Sequence, residues 1–377
     1  MSEVWYAEEL VEELETAGAA LALFPATPPI LAVATRNAGI SVSKLGDGGA
    51  LASGSTKGQG LPTTFAYGDL FLNRQSVLTC ITAEGNLVAY RLIQEGSNLD
   101  LVPVFRQTLM SNISASFIQD VDGDGSCELV VGLTDRIIRS YRYLRDDRSE
   151  GHLQALYKWE LPGQFLGLAV GGRPSGGSEV LVSQARARFV RINIRRPVFH
   201  TPGSSDAGES PVKDVQYVVS SDLPLSQDAS VLFLPSSAHS AFLFHALISE
   251  VVLLSSEEHG NELITLKEPA VGVKIVDLGD GTGLVVTASQ SGLLSFFSMK
   301  HGGERKGGFW ARLGGAEGEA GVVGLEAVVS GGKLRLALLT VFAELHLLAF
   351  PLPQFTQPLK PPSPNCQSPN LSMAAVS

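Results

Sequence analysis

The most regular feature of the chain is a repeated pair of short apolar segments separated by two to four turn-like residues. ILAVATRNAGISV, beginning at Ile30, and LVVGLTDRIIRSY, beginning at Leu129, show the same order of apolar run, polar turn and second apolar run. Each apolar run fits a buried β-strand, and the polar residues between them fit a hairpin turn. The seven copies begin at Ile30, Val77, Leu129, Val180, Phe242, Leu284 and Leu334.

The spacing of these copies indicates one repeated architecture. Successive copies lie 42 to 62 residues apart, and the average is close to 51. A further apolar run precedes most copies, as in TTFAYGDL from Thr63, and another often follows, as in LVPVFRQTL from Leu101. Four short strands per unit, with a period of about 40–50 residues, are typical of a β-propeller blade. We therefore predict an all-β, seven-bladed β-propeller over residues 17–350, with a pair of β-sandwich domains as the alternative.

Three segments fall outside this repeat. Residues 1–16 are rich in glutamate and predict a short acidic helix at the start of the chain. Residues 197–228 are rich in Ser, Pro, Gly and Asp, which favours a mobile loop between two blades. Residues 351–377 are rich in Pro and Ser, and a segment with so few apolar residues to bury is expected to be disordered.

Composition and charge narrow the class of protein. The 377 residues include 28 Lys and Arg against 38 Asp and Glu, which gives a net charge of −10. A general nucleic-acid binder needs a net basic surface, so we expect no nucleic-acid partner. The three cysteines are far apart and odd in number, which favours a reducing compartment over a disulfide framework.

Targeting signals are not expected from the sequence. The first residues are acidic and lack a long apolar core, so we predict no signal peptide. The stretch 229–256 contains no Lys or Arg, but Pro235, His239, His245 and Glu250 interrupt it. Buried strands joined by turns explain these residues better than a membrane span, which needs about 20 predominantly apolar residues.

One loop has the pattern of a cation site. The sequence DVDGDGSCE, from Asp120, places carboxylates at its first, third, fifth and ninth positions, with glycine at the sixth. Carboxylates two residues apart around a glycine turn suit a hard cation such as calcium, which takes several oxygen ligands. An EF-hand is excluded, because position twelve is Val131 and a strand follows where a helix is needed. The candidate calcium ligands are Asp120, Asp122, Asp124, Ser126 and Glu128.

Two interpretations of this loop remain open from the residues. The spacing fits the nine-residue calcium loop between two strands of an integrin-type FG-GAP blade, although Glu128 stands where aspartate is usual. The alternative is a tight hairpin whose carboxylates accept backbone N–H groups without a metal.

A cluster of arginines is the second candidate site. It follows one predicted strand and its exit, where it forms either a solvated outer blade edge or a docking surface for an acidic partner. Its members are Arg186, Arg188, Arg191, Arg195 and Arg196. The sequence has no Gly-x-Ser-x-Gly elbow, Cys/His pair or His-x-x-x-His cluster, so we expect no catalytic activity.

The segment FIQDVDGDGSCELVVGLTDRIIRSYRY, Phe117 to Tyr143, resembles the integrin-alpha FG-GAP repeat-containing protein 2 family. PVFRQ from Pro103 and YKWELPGQ from Tyr157 to Gln164 agree with it in order. The resemblance implies a subunit of the KICSTOR complex on lysosomal membranes. It also implies that this cytoplasmic scaffold recruits the GATOR Rag-GTPase-activating complex and restrains TORC1 when amino acids or glucose are scarce. The alternatives are a subunit of the ciliary Bardet–Biedl coat complex and, from another class, a channel-site enzyme.

Overall fold

The computed structural model describes residues 8–13, 16–35, 38–46, 49–57, 60–145, 151–163, 165–172, 178–184, 188–193, 214–219, 229–233, 240–245, 250–255, 262–278, 282–300, 305–313, 321–341, 344–352 and 371–376. All regular structure in these residues is β-strand. Among the same residues, no helix has the length and apolar character that a membrane span requires.

The strands are numbered in chain order. Up to residue 160 they are β1 (Glu8–Glu13), β2 (Thr16–Phe24), β3 (Ile30–Thr35), β4 (Gly39–Gly46), β5 (Gly49–Lys57), β6 (Pro62–Gly68), β7 (Val77–Thr82), β8 (Asn86–Glu95), β9 (Asn98–Thr108), β10 (Ile113–Gln119), β11 (Glu128–Leu133), β12 (Ile137–Leu144) and β13 (His152–Glu160). The later strands are β14 (Phe165–Gly172), β15 (Ser178–Gln184), β16 (Arg188–Asn193), β17 (Asp214–Val219), β18 (Ala229–Phe233), β19 (Ser240–His245), β20 (Glu250–Ser255), β21 (Glu262–Thr265), β22 (Ala270–Asp277), β23 (Thr282–Ser289), β24 (Leu293–Lys300), β25 (Arg305–Leu313), β26 (Val322–Ser330), β27 (Lys333–Thr340), β28 (Glu344–Pro351) and β29 (Leu371–Val376).

Strands β1 to β28 form seven four-stranded antiparallel units in the described part of the chain. Blades 1 to 6 are the consecutive sets β2–β5, β6–β9, β10–β13, β14–β17, β18–β21 and β22–β25. Blade 7 combines β26, β27 and β28 with β1, which pairs with the outer edge of β28. A single bridge between Ser53 of β5 and Asn98 of β9 joins the outer strands of blades 1 and 2. The predicted seven-bladed β-propeller is confirmed, and each predicted hairpin is the second and third strand of one blade.

The ring is closed through its innermost strands. The first strand of every blade contacts the first strands of both neighbouring blades, including β2 against β26, so the contacts run once around the centre. Apolar clusters fill the spaces between blades, and one of them joins Leu31 and Val33 of blade 1 to Ala337 and Leu345 of blade 7. Stacking buries both faces of a blade, which a single four-stranded sheet cannot do alone.

Burial explains why the second strands carry unbroken apolar runs. Every residue of β7 and of β11 is buried, because both faces of these strands pack against neighbouring blades. The outer strand β13, by contrast, has a mostly exposed pattern in which Leu153 and Trp159 are the buried residues. The sequence repeat therefore marks the part of each blade that is covered on both sides.

The structure corrects the three predictions made for the segments outside the repeat. The predicted N-terminal helix is wrong at Glu8–Glu13, because this segment is the strand β1 that completes blade 7. The predicted loop 197–228 contains β17, the outer strand of blade 4, at Asp214–Val219. The predicted disorder of 351–377 is wrong at Leu371–Val376, where β29 adds a fifth strand to β25. In each case an unpaired strand edge supplies hydrogen-bond partners that local composition does not reveal. The rest of these three segments lies largely outside the described residues.

Candidate functional site

The acidic loop lies in blade 3 between the innermost strand β10 and the second strand β11. Gln119 and Glu128 face each other at the ends of the two strands and enclose the eight residues of the loop. Gly123 and Gly125 have φ angles of +77° and +88°, a conformation that residues with a side chain rarely adopt. The two glycines therefore allow the tight path that turns the alternate carboxylates towards one another.

Asp120 holds this turn through backbone hydrogen bonds. Its Oδ1 accepts the N–H groups of Gly123 at 2.7 Å and Asp124 at 3.2 Å, and its Oδ2 accepts the N–H of Gly125 at 2.8 Å. A second, smaller turn forms where Asp124 Oδ1 accepts the N–H of Ser126 at 2.8 Å. These are the side-chain-to-backbone bonds expected of a metal-free Asp/Gly hairpin.

Arg142, on the third strand β12, binds the remaining carboxylates. Its Nη2 lies 3.0 Å from Asp122 Oδ2, its Nη1 lies 2.7 Å from Asp124 Oδ2, and its Nε donates to Glu128 Oε1 at 2.9 Å. The side chains of Asp122 and Glu128 are 1% and 0% exposed, so these charges are removed from water. Burying such charges is costly unless they are paired, and Arg142 provides the pairing.

The electrostatics of the cluster agree with this pairing. Burial raises the pKa of Glu128 to about 7, against the opposing effects of the Val121 N–H and the Arg142 guanidinium. Burial also raises the pKa of Asp122, and Arg142 opposes that shift. Burial alone would lower the pKa of Arg142, but its hydrogen bond and its attraction to the carboxylates raise that pKa above the usual range. Arg142 therefore stays cationic at physiological pH.

The structure brings most of the predicted calcium ligands together. One carboxylate oxygen from each of Asp120, Asp122 and Asp124 lies within 4.8 Å of the others. Glu128 is linked to this cluster because it binds Arg142, which also binds Asp122 and Asp124. Ser126 contributes its backbone N–H to the loop. Calcium binding itself stays a prediction, and the contacts of Arg142 argue against it.

Sequence reasoning missed Arg142, although a signal was present. Leu129 pairs with Tyr141 across β11 and β12, so the next position of this antiparallel register places Glu128 opposite Arg142. A carboxylate facing an arginine across two strands is a favourable cross-strand pair. Only a register assigned residue by residue would have revealed it, because the two lie 14 residues apart.

The structure describes two members of the second candidate site. Arg188 and Arg191 lie in β16, which pairs with β15 on one side and β17 on the other, so the outer-edge alternative does not hold for them. The docking-surface alternative stays a prediction. The outer strand of this blade is β17. Arg186, Arg195 and Arg196 lie outside the described residues.

Seven blades around one centre define a seven-bladed β-propeller, and blade 3 carries an acidic eight-residue loop between its first two strands. Residues 51–231 match the family Integrin-alpha FG-GAP repeat-containing protein 2. This match confirms the family resemblance from β5 through blades 2 to 4.

Two curated relatives carry the same name. The chain is 31% identical over 172 residues to "KICSTOR complex protein ITFG2" of Bos taurus, an alignment that covers 41% of this chain and 32% of that protein. It is 28% identical over 217 residues to the Mus musculus protein of that name, covering 54% of this chain and 47% of the relative. The chain therefore matches less than half of the length of either relative.

Solved structures resemble the fold at low sequence identity. BBS1N, in a crystal structure with ARL6DN, has a TM-score of 0.60 at 13% identity, covering 93% of this chain and 98% of that one. Raptor of Chaetomium thermophilum has a TM-score of 0.59 at 10% identity, covering 93% and 29% of the two chains. These likenesses describe the propeller fold alone.

Proposed function

We propose that this chain is a non-catalytic scaffold subunit of a KICSTOR complex. The observation that carries the proposal is the alignment with two relatives named as KICSTOR complex proteins, over 172 and 217 residues. The family match over residues 51–231 also supports it. This matched range includes blade 3, and with it the acidic loop and Arg142.

The geometry suits a protein that acts through its surfaces. A closed ring of seven blades is a rigid support for the loops between its strands, and such loops are where binding residues concentrate. Among the described residues, the carboxylates of the acidic loop are bound by Arg142 and by backbone N–H groups. That arrangement stabilises a loop and leaves no free carboxylate to act as a general base.

The finer role follows from the family resemblance. We propose that the assembled complex recruits the GATOR Rag-GTPase-activating complex to the lysosomal surface from the cytoplasm. Loss of this chain would then leave TORC1 active after withdrawal of amino acids or glucose. Its direct partners would be the other KICSTOR subunits, with GATOR binding the assembly.

A docking surface for this role is proposed at the arginine segment, by which we mean Arg186, Arg188, Arg191, Arg195 and Arg196. Clustered guanidinium groups make bidentate contacts to carboxylates, so the segment suits an acidic surface on a partner. Arg191 faces Gln216 in the register of β16 and β17, which places this part of the segment in blade 4.

The proposal is tested by affinity capture from cells, with the recovered proteins quantified by mass spectrometry. The wild-type chain should recover the other KICSTOR subunits and GATOR. Reversing two charges, with Arg188→Glu and Arg191→Glu together, should reduce that recovery and leave the melting temperature unchanged. The matched control reverses Arg91 and Arg106 to Glu, because both are exposed, on the third and fourth strands of blade 2. This variant should bind normally.

Two outcomes would contradict the proposal. Recovery of ciliary coat subunits in place of KICSTOR subunits would assign the chain to a different assembly. Recovery of neither set would remove the functional proposal and leave the fold unaffected. Equal recovery by both charge-reversal variants would contradict the docking surface only.

A further inference from the structure

The acidic loop of blade 3 encloses a positive charge that belongs to the chain itself. Arg142 extends from β12 and directs three guanidinium nitrogens towards Asp122, Asp124 and Glu128, at 3.0, 2.7 and 2.9 Å for the contacts described above. A guanidinium is permanently charged and presents its donors in a fixed planar fork, so it can bind several carboxylates at once.

The remaining oxygens of the cluster are also bound within the chain. Asp122 Oδ1 accepts the N–H of Asp124 at 3.2 Å, and Glu128 Oε2 accepts the N–H of Val121 at 3.0 Å. With the bonds of Asp120, all eight carboxylate oxygens of the four acidic residues have a partner among the described residues. Each carboxylate oxygen of the loop therefore already has a partner within the chain without an added ion.

These contacts bear directly on whether the residues fit a calcium ion. Calcium takes six to eight oxygen ligands at about 2.3–2.6 Å, so it would need the oxygens that now face Arg142. Calcium and the guanidinium would occupy the same centre, and two cations cannot share it. The carboxylates therefore do not fit calcium unless Arg142 leaves.

We propose that Arg142 is the built-in cation of this loop, and that the loop keeps its shape without calcium. The acidic residues at alternate positions then serve to surround a guanidinium. A cation attached to the chain is present whenever the protein is folded, and a chelator cannot remove it.

The loop between the first two strands of blade 2 can be compared with the acidic loop of blade 3, because the two loops join corresponding strands. The blade 2 loop also has eight residues, and Asp69 accepts the N–H groups of Asn73 and Arg74 as Asp120 does in blade 3. Val77 begins β7 where Glu128 begins β11, and the register places Arg91 opposite Val77. Arg91 is exposed, because no buried carboxylate is there to bind it. A half-buried arginine thus accompanies the buried carboxylates in blade 3, and an exposed arginine stands where they are absent in blade 2.

The proposal is tested on the full chain by measuring the melting temperature in EGTA and in millimolar calcium chloride. We expect the same melting temperature for the wild-type chain in both buffers. Arg142→Met should melt several degrees lower in EGTA, because two buried carboxylates lose their counter-charge. Calcium should raise the melting temperature of this variant, because the carboxylate oxygens that Arg142 binds in the wild type are then available to the ion. Arg91→Met is the matched control and should behave as the wild type in both buffers.

The results that would overturn this proposal differ from those that would overturn the proposed function. A calcium-dependent rise in the melting temperature of the wild-type chain would mean that calcium is the cation of this loop. An Arg142→Met variant as stable in EGTA as Arg91→Met would mean that Arg142 does not hold the loop. An Arg142→Met variant with no calcium response would contradict exclusion of calcium by the guanidinium. If Arg142→Met does not fold, Arg142→Lys keeps a positive charge and must show no calcium response.

Discussion

Leu10 lies opposite Leu347 in the register that pairs the first strand of the chain, β1, with the last strand of blade 7. Leu10 precedes blade 1 in the sequence and Leu347 lies in blade 7, so the pairing of β1 with β28 closes the ring. A closed ring shares its buried surfaces among all blades, and its parts are expected to unfold together.

Truncation should therefore affect the whole ring. A chain ending at Lys300 lacks β25 and β29 of blade 6 and β26–β28 of blade 7, which include the partner of β1. We expect it to lose the cooperative melting transition of the full chain. Deleting residues 1–13 is a milder change that exposes only the edge of β28, and it should lower the melting temperature without abolishing the transition. Circular dichroism and calorimetry measure both effects. A folded, monomeric chain ending at Lys300 would contradict the closed ring.

Gly54 marks the place where blades 1 and 2 approach most closely at their outer strands. A Cβ added at Gly54 would overlap the backbone carbonyl of Leu99, next to the bridge between Ser53 and Asn98. Gly54→Ala should destabilise the protein by about 1–3 kcal/mol, because backbone must shift to admit the methyl group. Ser55→Ala changes the next, exposed residue and should have little effect. Chemical denaturation compares the two variants, and equal midpoints would contradict the close approach.

Glu268 should contribute a measurable pH dependence to stability. Burial alone would raise its pKa, but hydrogen bonds from Ser291, Ser289 and Arg312 hold that pKa below its usual value. Ser289 Oγ lies 2.7 Å from Glu268 Oε2, and Arg312 Nη2 lies 2.6 Å from Oε1. A folded-state pKa below the unfolded value of 4.5 adds stability above that pH, and this stability is lost as the pH falls through the folded pKa.

The corresponding measurement compares denaturation midpoints from about pH 7 to about pH 3, across the window in which this linkage acts. Glu268→Gln should be less stable than the wild type near neutral pH, and the difference should shrink as the pH falls. Glu95→Gln, an exposed glutamate at the end of β8, is the control and should follow the wild-type curve. A constant difference between Glu268→Gln and the wild type at every pH would contradict the assignment.

Much of the fold could be predicted from the sequence because the central strands of each blade are buried on both faces. Continuous apolar runs such as those at Val77 and Leu129 arise directly from that burial, and their even spacing reveals the number of blades. The acidic loop was also visible, since its geometry is set locally by alternate aspartates and two glycines.

The remaining features depend on contacts between residues far apart in the chain. EELVEE at Glu8–Glu13 has no local preference that predicts a strand, and it becomes one because the edge of β28 lacks a partner. Asp214–Val219 (DVQYVV) lies within a Ser-, Pro- and Gly-rich segment that predicts a loop, yet it forms β17 against β16. The pairing of Arg142 with Glu128 required the register of two strands, which spacing alone does not provide.

We propose that this propeller is a structural subunit of a KICSTOR assembly, and direct reconstitution tests the proposal most clearly. The chain would be co-expressed with the other KICSTOR subunits, purified through a tag on one of them and passed over a size-exclusion column. We predict that the chain elutes with those subunits as one complex in constant proportion across the peak. Elution of the folded chain by itself, separate from an otherwise assembled complex, would contradict the claim.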